Sequence, residues 1–180
     1  MSQASETFDL SIQDAENLLA HFDALNPKSG SPPDKNEVLK RAGLVMAMTA
    51  WETYVEDRLA EATASRLAHV QDASIAALVR SKLNDEIKRL NNPDYARTVQ
   101  LFADFAGVHV KKHWAWNGHD CASVNEKLSG YLKLRGDIVH RSRVVKAGEP
   151  ARHPVNRDDL KKAISFLRSL VNATESAFSA

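Results

Sequence analysis

The feature that most constrains the fold is an apolar run in the middle of a long helical segment. Residues 36–67 have the periodicity of one helix, and the run AGLVMAMTAW, residues 42–51, is apolar on nearly every side of it. A helix that is apolar all round has to be covered by other elements of the protein. The sequence therefore predicts a central, deeply buried helix with further helices packed around it.

The rest of the chain supplies those further helices. Apolar residues recur at helical spacing in residues 11–25, 74–90, 95–105, 123–140 and 156–178. No segment shows sustained alternation of polar and apolar residues, the period of two that marks a strand. We predict an all-α fold, a single domain over residues 1–180 built as a bundle of about five to seven helices.

Three segments are predicted to lack helix. Three of the six prolines and one glycine fall in residues 26–35, which we predict to be a linker, because proline and glycine at this density stop helices. Residues 1–10 are expected to be a disordered N-terminus. Residues 108–122 mix aromatic, histidine, glycine and aspartate residues and are expected to be partly loop.

Local signals also predict how two helices begin. Ser123 and Glu126 have the spacing of a capping box, in which each side chain binds the backbone amide of the other's position. Asn156 is a candidate N-cap for the last helix, and Asp158 and Asp159 suit the positive end of the helix dipole.

The composition excludes several classes of protein. The single cysteine, Cys121, leaves no internal disulfide framework and fits a reducing cytosol. The start, MSQASETFDL, lacks the basic and apolar regions of a signal peptide, and the run at 42–51 is far short of the roughly 18 apolar residues of a membrane span. The motifs GxxxxGK[ST], GxGxxG and GxSxG are absent. We therefore expect a cytoplasmic protein without a phosphate-binding loop or serine hydrolase chemistry.

Positive charge is concentrated in one segment, although the formal net charge of the chain is only +1. Residues 133–157 hold seven lysine and arginine residues against two acids, so the segment carries +5 and the remainder of the chain −4. A basic zone on an otherwise acidic body is typical of proteins that bind a phosphate backbone. An ordinary solvated loop explains the same charges, so the pattern alone does not decide between the two.

Within this zone, Arg135 and His140 are the residues best suited to chemistry. Arg135 falls on the apolar stripe of its predicted helix, where a guanidinium needs an acceptor or a water-filled groove because it cannot lose its proton. Five helical steps turn His140 by about 140° from Arg135. The two side chains converge if the helix ends or bends between them, which Gly136 makes easy, or if two copies line one cleft across a two-fold axis.

Two segments resemble the HEPN superfamily (higher eukaryotes and prokaryotes nucleotide-binding). The sequence RGDIVH, residues 135–140, resembles the family's Arg-x4-6-His signature and lies late in an all-α chain, before a last amphipathic helix. The helix that contains WETYVE, residues 51–56, resembles the RiboL-PSP branch, in which an apolar run meets a Trp-Glu pair. The resemblance covers residues 38–171. One departure is Gly136, since many active members have a polar residue directly after the arginine; here Asp137 follows one position later.

The resemblance implies a metal-independent endoribonuclease with Arg135 and His140 as its catalytic residues. The 2′-hydroxyl of the RNA would attack the adjacent phosphorus and leave a 2′,3′-cyclic phosphate and a 5′-hydroxyl. His140 would serve as general base or acid, a role that histidine side chains commonly take. Arg135 would bind the phosphoryl oxygens and the charge that builds on them. No cofactor and no metal ion are expected.

Supporting residues and partners are expected as well. Glu52 is a candidate ion-pair partner of Arg135, and Asp137 would orient His140 or pair with an arginine; for both acids the alternative is a surface position without a role. The candidate RNA contacts are Lys133, Arg141 and Arg143. The expected assembly is a homodimer that binds RNA. Similar domains are toxins or effectors of bacterial defence and toxin–antitoxin systems, for which a neutralising partner is expected.

Two other functions stay open. One is an inactive HEPN domain that binds RNA or a nucleotide in the same basic groove without cutting it. The other is a helical protein-interaction module in which Arg135 and His140 only pack or cap. Cleavage of RNA separates the enzyme from both, and salt-sensitive RNA binding separates the two from each other.

The stretch before the motif carries weaker signals. Side chains of the types that bind zinc occur at His109, His113, His119 and Cys121, although surface histidines on a loop explain them as well. Trp114 and Trp116 have rings that could stack on bases. More often such residues fill the end of a bundle or a dimer interface.

Overall fold

The structure, a computed structural model, describes residues 2–26, 36–140 and 155–179. Its described part contains six α-helices and no β-strand, which confirms the all-α prediction. The helices are α1 (Gln3–Leu25), α2 (Glu37–Leu67), α3 (Ala73–Ile87), α4 (Tyr95–Leu101), α5 (Cys121–His140) and α6 (Arg157–Phe178). A π-helical turn, Phe102–Ala106, continues α4, and a 3-10 turn, Val110–His113, precedes α5. Nearly all of the predicted linker at 26–35 lies outside the described residues.

The central helix is α2, as its apolar run predicts. Its side chains Leu44, Met48, Trp51 and Tyr54 are at most 1% exposed, and α1, α5 and α6 all pack against it. A β-carbon at Gly43 would lie 2.8 Å from Leu160 Cδ2, so the glycine allows α6 to approach α2 closely. No described helix, α2 included, is long and apolar enough to cross a membrane.

The prediction of a disordered N-terminus is wrong, because α1 begins at Gln3 rather than at Ser11. The Ser2 side chain accepts a hydrogen bond from the Ser5 amide at 3.0 Å and so caps the helix. The first turns are also covered: Phe8 is 2% exposed and packs edge-to-face on Tyr54 at 5.9 Å between ring centroids. A distant partner in α2 therefore orders a segment whose own sequence carries few apolar residues.

The apolar stripe of α3 is only partly covered. The predicted stripe includes Ile75, Leu78 and Leu83; of these Leu83 is buried, whereas Ile75 and Leu78 are 53% and 59% exposed. The reason is that α2 is the main helix packed against α3, so one narrow face finds a partner. The helix ends at Ile87, and a turn then brings Leu90 back into the core.

Candidate active site

Both candidate catalytic residues lie on α5, whose start is fixed by a reciprocal cap. Asp120 Oδ1 accepts from the Ser123 amide at 2.8 Å, and Ser123 Oγ accepts from the Asp120 amide at 2.9 Å. The predicted box of Ser123 with Glu126 is therefore wrong: Ser123 is the second partner of a box that starts at Asp120. From there α5 runs without interruption through Gly136 to His140. The helix therefore does not end between Arg135 and His140.

Arg135 continues the buried stripe of α5, which consists of Val124, Leu128 and Leu132. Its side chain is only 18% exposed. Nη2 donates to Glu52 Oε2 and Nη1 donates to Asn92 Oδ1, each at 3.4 Å, while Nε is buried without an acceptor among the described residues. Both contacts are longer than the usual 2.7–2.9 Å of a charge-assisted hydrogen bond. The guanidinium is thus positioned by its neighbours but keeps donor capacity for a stronger acceptor.

Glu52 lies opposite Arg135 on α2, so the structure brings together the two side chains that the sequence pairs. Its side chain is 20% exposed. Burial raises the pKa of Glu52, and the positive charge of Arg135 partly counteracts that rise. The Glu52 carboxylate therefore loses part of its solvation where it binds the Arg135 guanidinium. Whether the pair acts in a reaction stays a prediction.

Asn92 is a residue of the candidate active site that the sequence analysis does not predict. Its position is set by the residue next to it, since the Pro93 carbonyl accepts the indole N–H of buried Trp51 at 3.1 Å. Two adjacent residues of α2 thus hold two parts of the candidate site. Trp51 binds the loop before α4, and Glu52 binds Arg135. The Asn-Asn-Pro sequence at 91–93 is typical of the end of a helix, and no local feature predicts that the Asn92 side-chain amide contacts α5.

A groove of about 460 Å³ lies beside this contact. Its walls are formed by Asn92, Asp94, Ser129, Leu132, Lys133, Gly136, Asp137 and His140. His140 and Lys133 are exposed, and Asp137 is half-buried one helical turn before His140. A β-carbon at Gly136 would meet nothing within 4 Å, so the glycine keeps the groove wide. Arg141 and Arg143, predicted to contact RNA, lie outside the described residues.

Asn92 is the link between the two catalytic candidates. It accepts from Arg135 and also lines the groove that contains His140. Because α5 is continuous, Arg135 and His140 diverge by about 140° around its axis. One chain therefore presents a guanidinium and an exposed imidazole on two sides of the same helix end.

The histidine, cysteine and tryptophan residues before α5 lie in different surroundings. Among the residues that the structure describes, no three histidine, cysteine or acidic side chains are grouped so as to hold a metal ion. Trp114 is fully buried, and its indole N–H donates to Thr174 Oγ1 at 2.9 Å, so it fills the core and cannot stack on a base. Trp116 is half-buried at the surface beside His119.

A comparison with known protein families establishes the family of this chain. The family model described as RiboL-PSP-HEPN matches residues 10–180, nearly the whole chain. The chain belongs to the RiboL-PSP-HEPN family. The match contains Glu52, Arg135 and His140, and it extends the region of HEPN resemblance from residue 38 back into α1. The searches of curated proteins and of solved structures found no match to this HEPN domain.

Proposed function

We propose that this RiboL-PSP-HEPN domain is a metal-independent endoribonuclease with Arg135 and His140 as its catalytic residues. The observation that carries the proposal is the arrangement around Asn92: a guanidinium held at 3.4 Å by Glu52 and Asn92, beside a groove that contains an exposed imidazole. Membership of the HEPN family supports a ribonuclease or related role. A phosphate could replace the long contacts of Arg135 without any change of fold.

The proposed reaction uses the RNA substrate, the Arg135 guanidinium and two imidazoles, one neutral and one protonated. The 2′-oxygen forms a bond to phosphorus while the bond from phosphorus to the 5′-oxygen breaks, which gives a cyclic phosphate and a 5′-hydroxyl. A neutral His140 accepts the proton of the 2′-hydroxyl, and a protonated imidazole donates a proton to the leaving oxygen. Arg135 stabilises the charge on the phosphoryl oxygens. DNA, which lacks the nucleophile, would not be cut.

A homodimer would complete this site. In-line attack uses a proton acceptor and a proton donor at opposite sides of the phosphorus, and His140 is the single histidine in the described walls of the groove. Two copies related by a two-fold axis would supply both imidazoles. They would also bring the Arg135 of one copy towards the His140 of the other, which the continuous α5 separates within one chain.

The cellular setting follows from the same proposal. A ribonuclease of this kind would act on cytoplasmic RNA and would serve as a toxin or defence effector. An acidic protein that covers Lys133 and the remainder of the groove would neutralise it. The alternative is a HEPN domain that binds RNA in the groove without cutting it.

The decisive test is a cleavage assay in excess EDTA with mapped product ends. Purified wild-type protein and the His140→Ala variant are incubated with a pool of structured and unstructured RNA. His69→Ala is a matched control, because His69 is an exposed histidine that follows α2 and does not line the groove. Cyclic-phosphate ends that His140→Ala loses and His69→Ala keeps would support the proposal. RNA that is bound but never cut would overturn it in favour of the binding domain.

A further inference from the structure

A second groove system lies along α6, centred on Trp116. Two grooves of about 560 and 290 Å³ share Trp116 and Ser169 in their walls. The lysine and histidine residues in their walls are Lys112, His113, His119, Lys127 and Lys162. No carboxylate lines either groove in the described part of the chain. We call the surface formed by Trp116, Lys112, Lys127 and Lys162 the Trp116 platform.

The indole of Trp116 is held rigidly at this surface. Its ring centroid lies 5.1 Å from that of His119 and 5.8 Å from that of Phe166, and Phe166 packs on Tyr131 at 5.6 Å. The backbones of Trp116 and His119 exchange two hydrogen bonds, at 2.9 and 2.8 Å, across a tight turn in which Gly118 has a φ of +82°. Stacking on a ring that is already fixed costs little conformational entropy.

The charges around the ring favour a phosphate backbone. Lys112, Lys127 and Lys162 are all exposed and reach the platform from three different elements. Burial and the nearby Lys127 lower the pKa of His119, so its imidazole is neutral at pH 7 and contributes a ring surface rather than a charge. Aromatic rings between lysines, with serine hydroxyls in the groove walls, are the combination that single-stranded nucleic acids meet on their binding proteins.

We propose that the Trp116 platform is a second binding site for single-stranded RNA, in which a base stacks on Trp116 and the lysines contact phosphates. The proposal rests on the proposed function, for which the platform would hold a substrate strand away from the bond being cut. Lys127 and His140 are separated by about 20 Å along α5 and by about 140° around it. A strand several nucleotides long is therefore needed to contact both sites.

The test is fluorescence anisotropy in the His140→Ala background, so that binding is measured without cleavage. The probe is a labelled, unstructured oligoribonucleotide of about 12 nucleotides, within the site sizes usual for single strands. The test variant is Lys127→Glu/Lys162→Glu. The control is Lys82→Glu/Lys88→Glu, which makes the same change of charge at exposed lysines in and just after α3.

We expect the test variant to lose affinity at least tenfold and to lower the slope of log K against log salt by about 1.4, or about 0.7 for each phosphate contact. The control pair should change neither quantity by as much. RNA should also quench tryptophan fluorescence in the parent protein and not in Trp116→Phe, because Trp51 and Trp114 are fully buried and out of its reach.

Two outcomes would overturn the proposal. One is equal loss of affinity in the test and control variants, which would indicate long-range charge rather than a site. The other is unchanged affinity in the test variant, which would leave an acidic protein segment as the better occupant of the platform. Neither depends on catalysis: cleavage by the wild type in EDTA decides the proposed function, and anisotropy decides the platform.

Discussion

Arg135 and His140 lie five positions apart on one unbroken helix, so their side chains diverge by about 140° around its axis. Within one chain, the two side chains therefore do not converge on one small substrate. In the proposed homodimer, a second copy of α5 related by a two-fold axis would bring them together, because each arginine could then act with the histidine of the other copy.

The proposed site, shared between two copies of the chain, predicts how a mixed dimer behaves. Co-expression of the wild type with an Arg135→Ala/His140→Ala chain, each with its own tag, gives a heterodimer that contains one complete set of residues. Two independent sites would leave half of the wild-type activity. A site that needs both imidazoles should leave less than about a tenth, since general acid–base catalysis contributes about 10²- to 10⁴-fold. Activity close to half in the purified heterodimer would refute the shared site.

Asn92 is expected to act as a positioning residue for Arg135. Asn92→Ala removes the acceptor of Arg135 Nη1, and we expect cleavage to fall about tenfold in kcat while stability changes by no more than about 0.5 kcal/mol, because the side chain is exposed. The neighbouring Asn91→Ala is the control. Combined with Arg135→Lys, the two losses should be less than additive. Strict additivity would mean that Asn92 acts independently of Arg135.

Gly136→Ala should separate stability from activity. Alanine is favoured over glycine inside a helix by about 1 kcal/mol, and its methyl group would meet nothing within 4 Å. We expect a higher free energy of unfolding together with a KM raised a few-fold, because the methyl narrows the groove. Gly130→Ala, also unobstructed but outside the groove, should give the gain in stability alone. Urea denaturation and steady-state cleavage measure the two effects, and an unchanged KM would place the substrate elsewhere.

The acids of α2 predict a pH dependence of stability. Burial, followed by the charges of Glu52 and Asp57, raises the pKa of Glu56 above its ordinary value of 4.5. The folded chain therefore holds this proton more tightly than the unfolded chain, and stability falls as pH rises through the raised pKa. Glu56→Gln removes this penalty.

We expect Glu56→Gln to be more stable than the wild type at pH 7 by a few tenths of a kcal/mol, the size of one like-charge pair at i,i+4. The difference should shrink towards pH 4, where the glutamate becomes protonated in both states. Urea denaturation at the two pH values provides the measurement. A variant that is less stable than the wild type at pH 7 would show that Glu56 has a favourable partner.

The elements that the sequence predicts best are those defined by local signals. The predicted limits 36–67 and 156–178 differ by one residue from α2 and α6, because apolar periodicity and flanking residues mark those ends. The start of α1 could not be predicted in this way. Its order depends on Phe8 meeting Tyr54, a contact between residues far apart in the chain.

The same division holds for the candidate site. The pairing of Glu52 with Arg135 could be inferred, because a carboxylate and a guanidinium on two apolar faces each need a partner. The contact with Asn92 could not, since it depends on where the loop before α4 meets α5. Whether α5 would continue through Gly136 was also undecided locally, because glycine is compatible with both a helix and its end.

Trp51 and Glu52 are consecutive residues, yet one fixes the core and the other holds the candidate catalytic arginine. A substitution that changes the packing of the Trp51 indole also shifts the stretch of α2 backbone that carries the Glu52 carboxylate. If the chain is the proposed ribonuclease, this dipeptide couples its thermostability to its turnover. Directed evolution for a more heat-resistant variant should therefore leave position 51 unchanged. Substitutions that compensate for a destabilising change at position 51 should be sought in the loop around Pro93.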